Sequence, residues 1–209
     1  MRVVCISDTH TFHRKVKMPD GDMLLVAGDF TNIGELCIVD NFNNWLGSLP
    51  YSHIVVVAGN HDTSFQKRPK QARERFTNCI YLQDESVTIE GIKIYGSPWQ
   101  PEFCNWAFNL PRESKELKKK WEAIPKDTDI LLTHCPPMGI LDRTGHPVFY
   151  RAGCQYLLNR VKKIAPKYHV FGHIHGAYGQ QQVGNTTFIN ASICNESYAP
   201  VHKPVVFDY

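Results

Sequence analysis

Five short apolar runs, each followed by small or polar residues, constrain the fold of this chain more than any other feature. Three lie in the first sixty residues and two in the second half, namely Val3–Ile6, Met23–Ala27, Ile54–Ala58, Ile130–Leu132 and Tyr168–Phe171. Continuous apolar runs of this length are typical of strands that are buried on both faces. The sequence therefore predicts buried strands at these five positions.

Helical periodicity fills much of the chain between these runs. The spacing of apolar residues predicts helices over Glu35–Leu49, Arg112–Ile124 and Tyr150–Ile164. The alternation of strands and helices favours a layered α/β architecture. Segments with alternating polarity predict antiparallel strands, with hairpin turns at Gly91 and at Gly184-Asn185, over Ser86–Glu90, Gly91–Tyr95, Thr186–Ile189 and Pro204–Phe207.

Length, charge and cysteine content narrow the class of protein. A chain of 209 residues fits one domain, and its net charge of +3 is below that of a dedicated nucleic-acid binder. Its seven cysteines are odd in number and contain no CxxC pair, which favours free thiols in a reducing compartment over a disulfide framework or a zinc knuckle. The sequence offers no signal-peptide pattern and no membrane-length apolar run, so we expect a cytoplasmic protein that does not enter membranes.

Each apolar run ends in residues that can bind a metal ion. The motifs are Asp8-Thr9-His10, Gly28-Asp29, Gly59-Asn60-His61-Asp62, Thr133-His134 and Gly172-His173-Ile174-His175. Ligands of α/β sheets gather beyond the carboxyl ends of the strands, so these motifs are expected to converge. Carboxylate, amide and imidazole donors without thiolate suit Mn, Fe, Zn or Co better than Ca or Mg. The donors are too many for one tetrahedral zinc, which favours two ions that share a carboxylate.

Single motifs also have simpler explanations. Asp8 alone could cap a turn, Asn60 could hold a left-handed backbone conformation, and His134 alone could be a hydrogen-bonded core residue. Five such motifs in order, each after a predicted strand, are better explained by one metal site. Gly28, Gly59 and Gly172 precede these donors, where a side chain would crowd the ions or the turn.

The order D-x-H, G-D, G-N-H-D, a lone His after a strand and G-H-x-H resembles the calcineurin-like metallophosphoesterase superfamily. Linking segments bring the resemblance closest to the metallophosphoesterase-domain-containing (MPPED) family of class III cyclic nucleotide phosphodiesterases. These segments are NWLGSLP (44–50), NCIYLQD (78–84), IYGSPWQP (94–101), FNLPR (108–112) and NAS (190–192). The resemblance implies a single metallophosphoesterase domain over residues 1–209, built as a four-layer α/β/β/α sandwich with two mixed sheets.

The resemblance also implies a role for each motif residue. Asp8, His10 and His175 are expected to bind the first metal ion, and Asn60, His134 and His173 the second. Asp29 is expected to bridge the two ions, with Mn²⁺ as the first choice and Fe, Zn or Co as alternatives. His61 is expected to face the substrate phosphate as a catalytic residue. Asp62 is grouped with His61 as catalytic, and it is expected to lie behind His61 and to orient the ring or the loop.

The function implied is hydrolysis of small phosphodiesters, cyclic 3′,5′- or 2′,3′-nucleotides in particular, by attack of a metal-bridging hydroxide on phosphorus. His61 would stabilise the phosphoryl oxygens or protonate the leaving alkoxide. A phosphomonoesterase, a nuclease and a protein phosphatase share the same metal core and stay open as alternatives. The low net charge gives little sign of an extended nucleic-acid groove. A metal-poor binding scaffold is disfavoured because all seven ligand positions are filled. The oligomeric state stays open.

Substrate contacts are predicted at Asn60, His61, His173 and Trp99. Trp99 is a candidate for stacking on a nucleobase, whereas Trp106 and Phe108 are expected to be packing residues. The remaining histidines lack a partner motif and are expected to have surface or packing roles; they are His13, His53, His146, His169 and His202.

Overall fold

The computed structural model describes residues 1–145 and 150–209 of the chain, and two mixed β-sheets form its centre. The first sheet has the order β13-β1-β2-β3-β4, and the second has the order β11-β12-β10-β9-β6-β5. A small third sheet pairs β7 with β8. The strands are β1 (Arg2–Ile6), β2 (Met23–Val26), β3 (His53–Val56), β4 (Ile80–Tyr81), β5 (Glu85–Ile89), β6 (Ile92–Ser97), β7 (Gln100–Pro101), β8 (Asn109–Leu110), β9 (Ile130–Thr133), β10 (Tyr168–Phe171), β11 (Gly179–Val183), β12 (Thr186–Asn190) and β13 (Val205–Asp208).

All five predicted buried strands form, and neighbours among them are parallel. β2 pairs in parallel with β1 and β3, and β9 pairs in parallel with β10. The predicted antiparallel segments form as β5, β6, β12 and β13. Glu90 and Gly91 join β5 to β6 with φ of 47° and 82°, the positive values that a tight type I′ hairpin turn requires.

The two large sheets face each other, and side chains alternate between that interface and the outer layers. Val3 and Cys5 of β1 pack between the sheets, whereas Val4 and Ile6 pack on the outer side with the first helix. On the outer side of the second sheet, Leu131 packs against two further helices. The four-layer α/β/β/α arrangement with two mixed sheets is therefore confirmed.

The helices are α1 (Leu36–Gly47), α2 (Ser64–Lys67), α3 (Pro69–Arg73), α4 (Lys115–Glu122) and α5 (Gln155–Ile164). The helix predicted from Arg112 begins three residues later, because the Ser114 side chain accepts a hydrogen bond from the Leu117 N–H and caps it. The helix predicted from Tyr150 begins at Gln155, after residues 150–154 pair with the 137–144 segment through bridges and loop hydrogen bonds. None of the helices in the described residues has the length and apolar character needed to cross a membrane.

Candidate metal centre

The carboxyl ends of β1, β2 and β3 meet those of β9 and β10 at one end of the sandwich. The Ser7 N–H donates to the Ala191 carbonyl (2.8 Å), and the Gly172 N–H donates to the His134 carbonyl (3.1 Å). The structure brings all seven predicted metal ligands together at this junction. Six of them, with His61, form three overlapping groups of possible donors: Asp8–His10–His175, Asp29–His134–His173 and, between these two, His10–Asp29–His61.

The first group contains Asp8, His10 and His175. The Nε2 atom of His175 lies 3.3 Å from Asp8 Oδ1 and 3.2 Å from His10 Nε2. The Nδ1 of His175 donates a hydrogen bond to the Asn195 carbonyl (3.0 Å), which leaves the lone pair of Nε2 for a metal ion. Asp8 Oδ2 accepts from the Ser192 hydroxyl at 2.7 Å, so this carboxylate is held in place from behind.

The second group contains Asp29, His134 and His173, with Asn60 beside them. The Nε2 atom of His134 lies 3.3 Å from Asp29 Oδ2 and 2.9 Å from Asn60 Oδ1. Its Nδ1 donates to the Ala27 carbonyl (2.8 Å). The other Asp29 oxygen accepts from the His61 N–H (2.8 Å). Asp29 Oδ2 is also 3.9 Å from His10 Nε2, so one carboxylate reaches both groups, as a bridging ligand would.

The glycines before these ligands leave no room for a side chain. A Cβ atom on Gly59 would lie 2.2 Å from Asp29 Oδ1, and one on Gly172 would lie 2.1 Å from Asp8 Oδ2. Asp8, Asp29 and His173 themselves have positive φ values of 50°, 54° and 67°. Non-glycine residues adopt this region at an energetic cost, and such strain clusters at functional sites.

Buried charges of opposite sign balance each other in the cluster. Burial opposes ionisation of Asp8 and Asp29, but the adjacent His175 and His134, respectively, hold the pKa of each carboxyl well below its usual range. Burial likewise opposes a charged His134, yet Asp29 raises the pKa of this imidazole to about 9. Burial lowers the pKa of His173 to about 3, so this ring is neutral and can bind a metal.

The donor set fits divalent transition-metal ions. It consists of two ionised carboxylates, one amide oxygen and four imidazoles, all of which follow the ends of the five buried strands. The Nε2 atoms of His10 and His175 lie 3.2 Å apart, and the Nδ1 of His175 is hydrogen-bonded to the Asn195 carbonyl. Two ring nitrogens in this arrangement can bind one cation. A bound cation would replace the proton that His134 otherwise carries, because metal binding releases ligand protons.

His61 lies at the cavity, whereas the hydrogen bonds of Asp62 in the described part of the chain go to other groups than the His61 ring. The Nδ1 of His61 donates to the Asn32 carbonyl (2.6 Å), and this carbonyl orients the ring. Asp62 is fully buried and accepts from the Asp29 and Gly59 N–H groups and from Thr31. Burial and the charge of Asp29 raise the pKa of Asp62 to about 7. Of the two roles expected for Asp62, these bonds match the orientation of the loop, and a catalytic role for Asp62 stays a prediction.

The aromatic predictions also need correction. Trp99 does not line the cavity within the described residues, because its indole N–H donates to Asp84 (2.8 Å) and its ring packs against Phe108 and Lys120. Phe108 is buried, as expected. Trp106, expected only to pack, lies on the His61 ring with a centroid distance of 4.1 Å.

The cavity above the metal ligands has a volume of about 270 Å³. Three aromatic side chains on its wall are nearly half exposed: Phe103 and Tyr150 at 45% and Tyr198 at 46%. The Tyr198 ring lies 4.7 Å from the His10 ring and 5.1 Å from the His175 ring. Arg112 and Glu196 also line the cavity, which therefore combines an aromatic rim with both signs of charge.

The histidines without a partner motif have other environments. His13 and His169 are buried and pack against aromatic rings, and His202 stacks on Tyr178. His53 pairs with Glu90 at 3.6 Å. His146 lies outside the described residues, so its predicted role stays a prediction.

Sequence reasoning missed the groups that orient the ligands. Asn32 and Asn195 act through backbone carbonyls, which carry no residue-type signal. Ser192 lies in the NAS segment, one of the segments that carry the family resemblance. That segment could have pointed to Ser192 as a residue that supports a metal ligand. No sequence pattern indicated that Trp106 contacts His61.

Comparisons with known proteins agree with this architecture. A family model described as "Calcineurin-like phosphoesterase" matches residues 1–177. Metallophosphoesterase domain-containing protein 1 of Homo sapiens is 46% identical over 231 residues, covering 99% of this chain and 70% of that protein. The crystal structure of TT1561 of Thermus thermophilus has a TM-score of 0.61 at 16% identity and covers 90% of this chain and 88% of its own. A structure titled as that of a novel archaeal phosphodiesterase has a TM-score of 0.50 at 16% identity, with coverages of 100% and 93%. At these identities the two structures show a shared fold.

Proposed function

Since this chain belongs to the calcineurin-like phosphoesterase family, a family of phosphoester hydrolases, we propose that it is a dinuclear-metal phosphodiesterase acting on small phosphodiesters, with cyclic nucleotides as the first candidates. The observation that carries the proposal is the position of Asp29 at the floor of a small cavity, where its Oδ2 lies 3.3 Å from His134 Nε2 and 3.9 Å from His10 Nε2. Two ions bound side by side suit in-line displacement at phosphorus.

Asp8, His10 and His175 would hold one ion, and Asn60, His134 and His173 the other, with Asp29 between them. Bound divalent ions would lower the pKa of water, neutralise the phosphoryl oxygens and orient the substrate. Mn²⁺ is the first choice, and Fe, Zn and Co suit the same donors. Two divalent ions bring four positive charges against two carboxylates, so the loaded site attracts a phosphodiester anion.

His61 is the side chain that we assign to proton transfer. Its backbone N–H is fixed to Asp29 and its Nδ1 to Asn32, which leaves Nε2 for the substrate. In this position Nε2 would donate to a phosphoryl oxygen or to the leaving oxygen. The leaving alkoxide of a cyclic diester is a poor leaving group, so the transferred proton lowers the barrier. Asn60 and His173 are further candidates for phosphate contacts.

The cavity supports a small substrate with a planar group. Its volume of about 270 Å³ is near the lower end of the ~300–1,000 Å³ range of small-molecule sites. Phe103, Tyr150 and Tyr198 expose ring surface on its wall, and base–aromatic stacking contributes about 1–3 kcal/mol per base. These features favour a nucleotide over a simple alkyl diester.

The free cysteines support a reducing location such as the cytoplasm. All seven lie in the described residues as free thiols, and Cys37 and Cys104 are exposed. Exposed thiols persist in reducing compartments. We propose cytoplasmic location on this basis.

The test is turnover by the protein reconstituted with Mn²⁺. The panel contains 3′,5′- and 2′,3′-cyclic nucleotides, bis-p-nitrophenyl phosphate and the monoester p-nitrophenyl phosphate, with Asp29→Ala as the blank. We expect diester hydrolysis that is lost in the blank. Faster monoester turnover would replace the proposal with a phosphomonoesterase, and no turnover at full metal occupancy would reject a hydrolytic function on small esters.

A further inference from the structure

Trp106 lies directly on the ring of His61. The two ring centroids are 4.1 Å apart and the ring planes are inclined by 33°, which is the geometry of a tilted stack. Trp106 is half-buried, and its neighbours Cys104 and Asn105 are exposed. Of these three residues, Trp106 is therefore the one whose side chain contacts His61.

The other contacts leave the His61 ring with limited support. Among the described residues, the ring makes one hydrogen bond, from Nδ1 to the Asn32 carbonyl. It also meets the edge of the His10 ring at 4.8 Å and lies 6.3 Å from the Tyr198 ring. His61 is itself only half-buried and lies in a turn after Asn60. Trp106 covers one face of the ring, so together with the bond to Asn32 it opposes rotation of the imidazole out of the cavity.

The backbone fixes the position of Trp106. The Ala107 N–H donates to the Asn60 carbonyl (3.1 Å), and the Phe108 N–H donates to the Gln66 side chain (2.8 Å). Both bonds immediately follow the tryptophan, and the first attaches its loop to the residue before His61. The stack is thus held by main-chain bonds on both partners.

We infer that Trp106 is a positioning residue, which holds the His61 imidazole so that its Nε2 faces the cavity. The kinetic consequence rests on the proposed phosphodiesterase function, whereas the orientation of the ring does not. Orientation matters because a misplacement of about 1 Å can cost about 10²-fold in rate. An aromatic side chain of another size preserves a stacking face, whereas alanine removes it.

The kinetic test compares Trp106→Ala and Trp106→Phe with the Mn²⁺-loaded wild type on the cyclic nucleotide that the wild type hydrolyses fastest, because its alkoxide leaving group needs the proton from His61. We expect Trp106→Ala to lower kcat by about 10–100-fold with little change in KM. Trp106→Phe is expected to recover most of that loss. Asn105→Ala, at the exposed neighbouring position, is the matched control and should behave as wild type. Equal kcat values for Trp106→Ala and wild type, or a loss confined to KM, would overturn the inference.

A spectroscopic test keeps this inference separate from the proposed activity. In Zn²⁺-loaded protein labelled at histidine, the His61 signals can be assigned by their loss in His61→Asn. We expect the ring signals to shift in Trp106→Ala, and the Nδ1 proton to exchange faster, while the other histidines stay unchanged. Unmoved His61 signals would overturn the inference even in an active enzyme. Shifted signals in a protein without turnover would retain the positioning role and reject the proposed function.

Discussion

The Nε2 atoms of His10 and His175 lie 3.2 Å apart, a distance that fits either a hydrogen bond between the rings or two ligands of one cation. Asp8 Oδ1 is 3.3 Å from the same His175 atom. This convergence of electron-pair donors ties the stability of the fold to metal binding, because an ion that binds only the folded protein shifts the unfolding equilibrium.

We expect metal removal to lower the melting temperature. Mn²⁺ at about 100 times its Kd stabilises the folded state by about 2.7 kcal/mol, which corresponds to about 5–10 °C for a chain of this length. Asp29→Ala should abolish the difference between chelated and Mn²⁺-loaded protein, whereas Asp20→Ala, at an exposed carboxylate, should retain it. The measurement is a thermal scan with and without chelator. Equal melting temperatures for the wild type would contradict the prediction.

Replacement of His61 by alanine should separate catalysis from metal binding. Both ions are expected to stay bound, because His61 is not among the seven assigned ligands, while kcat on the diester falls by about 10²–10⁴-fold. Metal content by atomic spectroscopy and steady-state kinetics together check this. His53→Ala is the control, since His53 lies at the opposite end of β3 and pairs with Glu90. Loss of one metal equivalent in His61→Ala would instead identify His61 as a ligand. This alternative has a structural basis, because His61 forms one of the possible donor groups with His10 and Asp29.

Asp62→Asn should lower the stability of the fold and the affinity for metal more than it lowers kcat. An amide supplies one acceptor oxygen where the carboxylate accepts from Asp29, Gly59 and Thr31, and a buried donor left without an acceptor costs about 1–3 kcal/mol. We expect lower stability in urea and about 10–100-fold weaker metal binding. At saturating Mn²⁺, kcat should change far less than in His61→Ala. Asp127→Asn, whose side chain is 74% exposed, is the control. A large kcat loss at full occupancy would show that Asp62 takes part in the chemistry itself.

The sequence was sufficient for the layers and the ligand positions because both depend on local patterns. The run Val3–Ile6 is apolar at every position since β1 is covered on both faces, and Asp8 follows it because the chain must turn there. Asp62 was harder to interpret: an acidic residue next to His61 has the same sequence pattern whether it contacts the ring or the loop behind it.

The aromatic residues could not be assigned from the sequence because tertiary contacts decide their environment. Trp99 and Trp106 are seven residues apart in one irregular segment, without a periodicity that defines a buried face. Asp84, distant in the chain, holds Trp99 away from the cavity through the indole N–H. The contact of Trp106 with His61 depends on the bond between Ala107 and Asn60, which no local pattern predicts.

Tyr198 and Trp99 should therefore respond differently to substitution. Tyr198→Ala removes the half-exposed ring and is expected to raise KM for a cyclic nucleotide by about 5–150-fold, the equivalent of about 1–3 kcal/mol of stacking. Tyr198→Phe keeps the ring and should stay close to wild type. Trp99→Phe should lower stability through loss of the Asp84 bond but leave KM unchanged. The reverse pattern of KM values would return base recognition to Trp99.

His169 should make the fold sensitive to acid. Burial lowers the pKa of its imidazole to about 3, against about 6.5 in an unfolded chain. Between these values the unfolded state binds the extra proton, so the stability contributed by neutral His169 is complete above pH 6.5 and decreases as the pH falls. The environment explains the low pKa: Nε2 donates to the Thr133 hydroxyl, which donates in turn to the Cys135 carbonyl, while Nδ1 is buried without a partner among the described residues.

At pH 5 the expected loss from His169 is about 2 kcal/mol relative to pH 7.5, since each pKa unit corresponds to about 1.4 kcal/mol. His169→Gln keeps a donor toward Thr133 and does not titrate. We therefore expect the difference in unfolding free energy between wild type and His169→Gln to decrease by about 2 kcal/mol from pH 7.5 to pH 5. Titration of the metal ligands affects both proteins alike and cancels in this difference. Urea denaturation at a series of pH values measures it, and a difference independent of pH would show that His169 titrates normally in the folded protein.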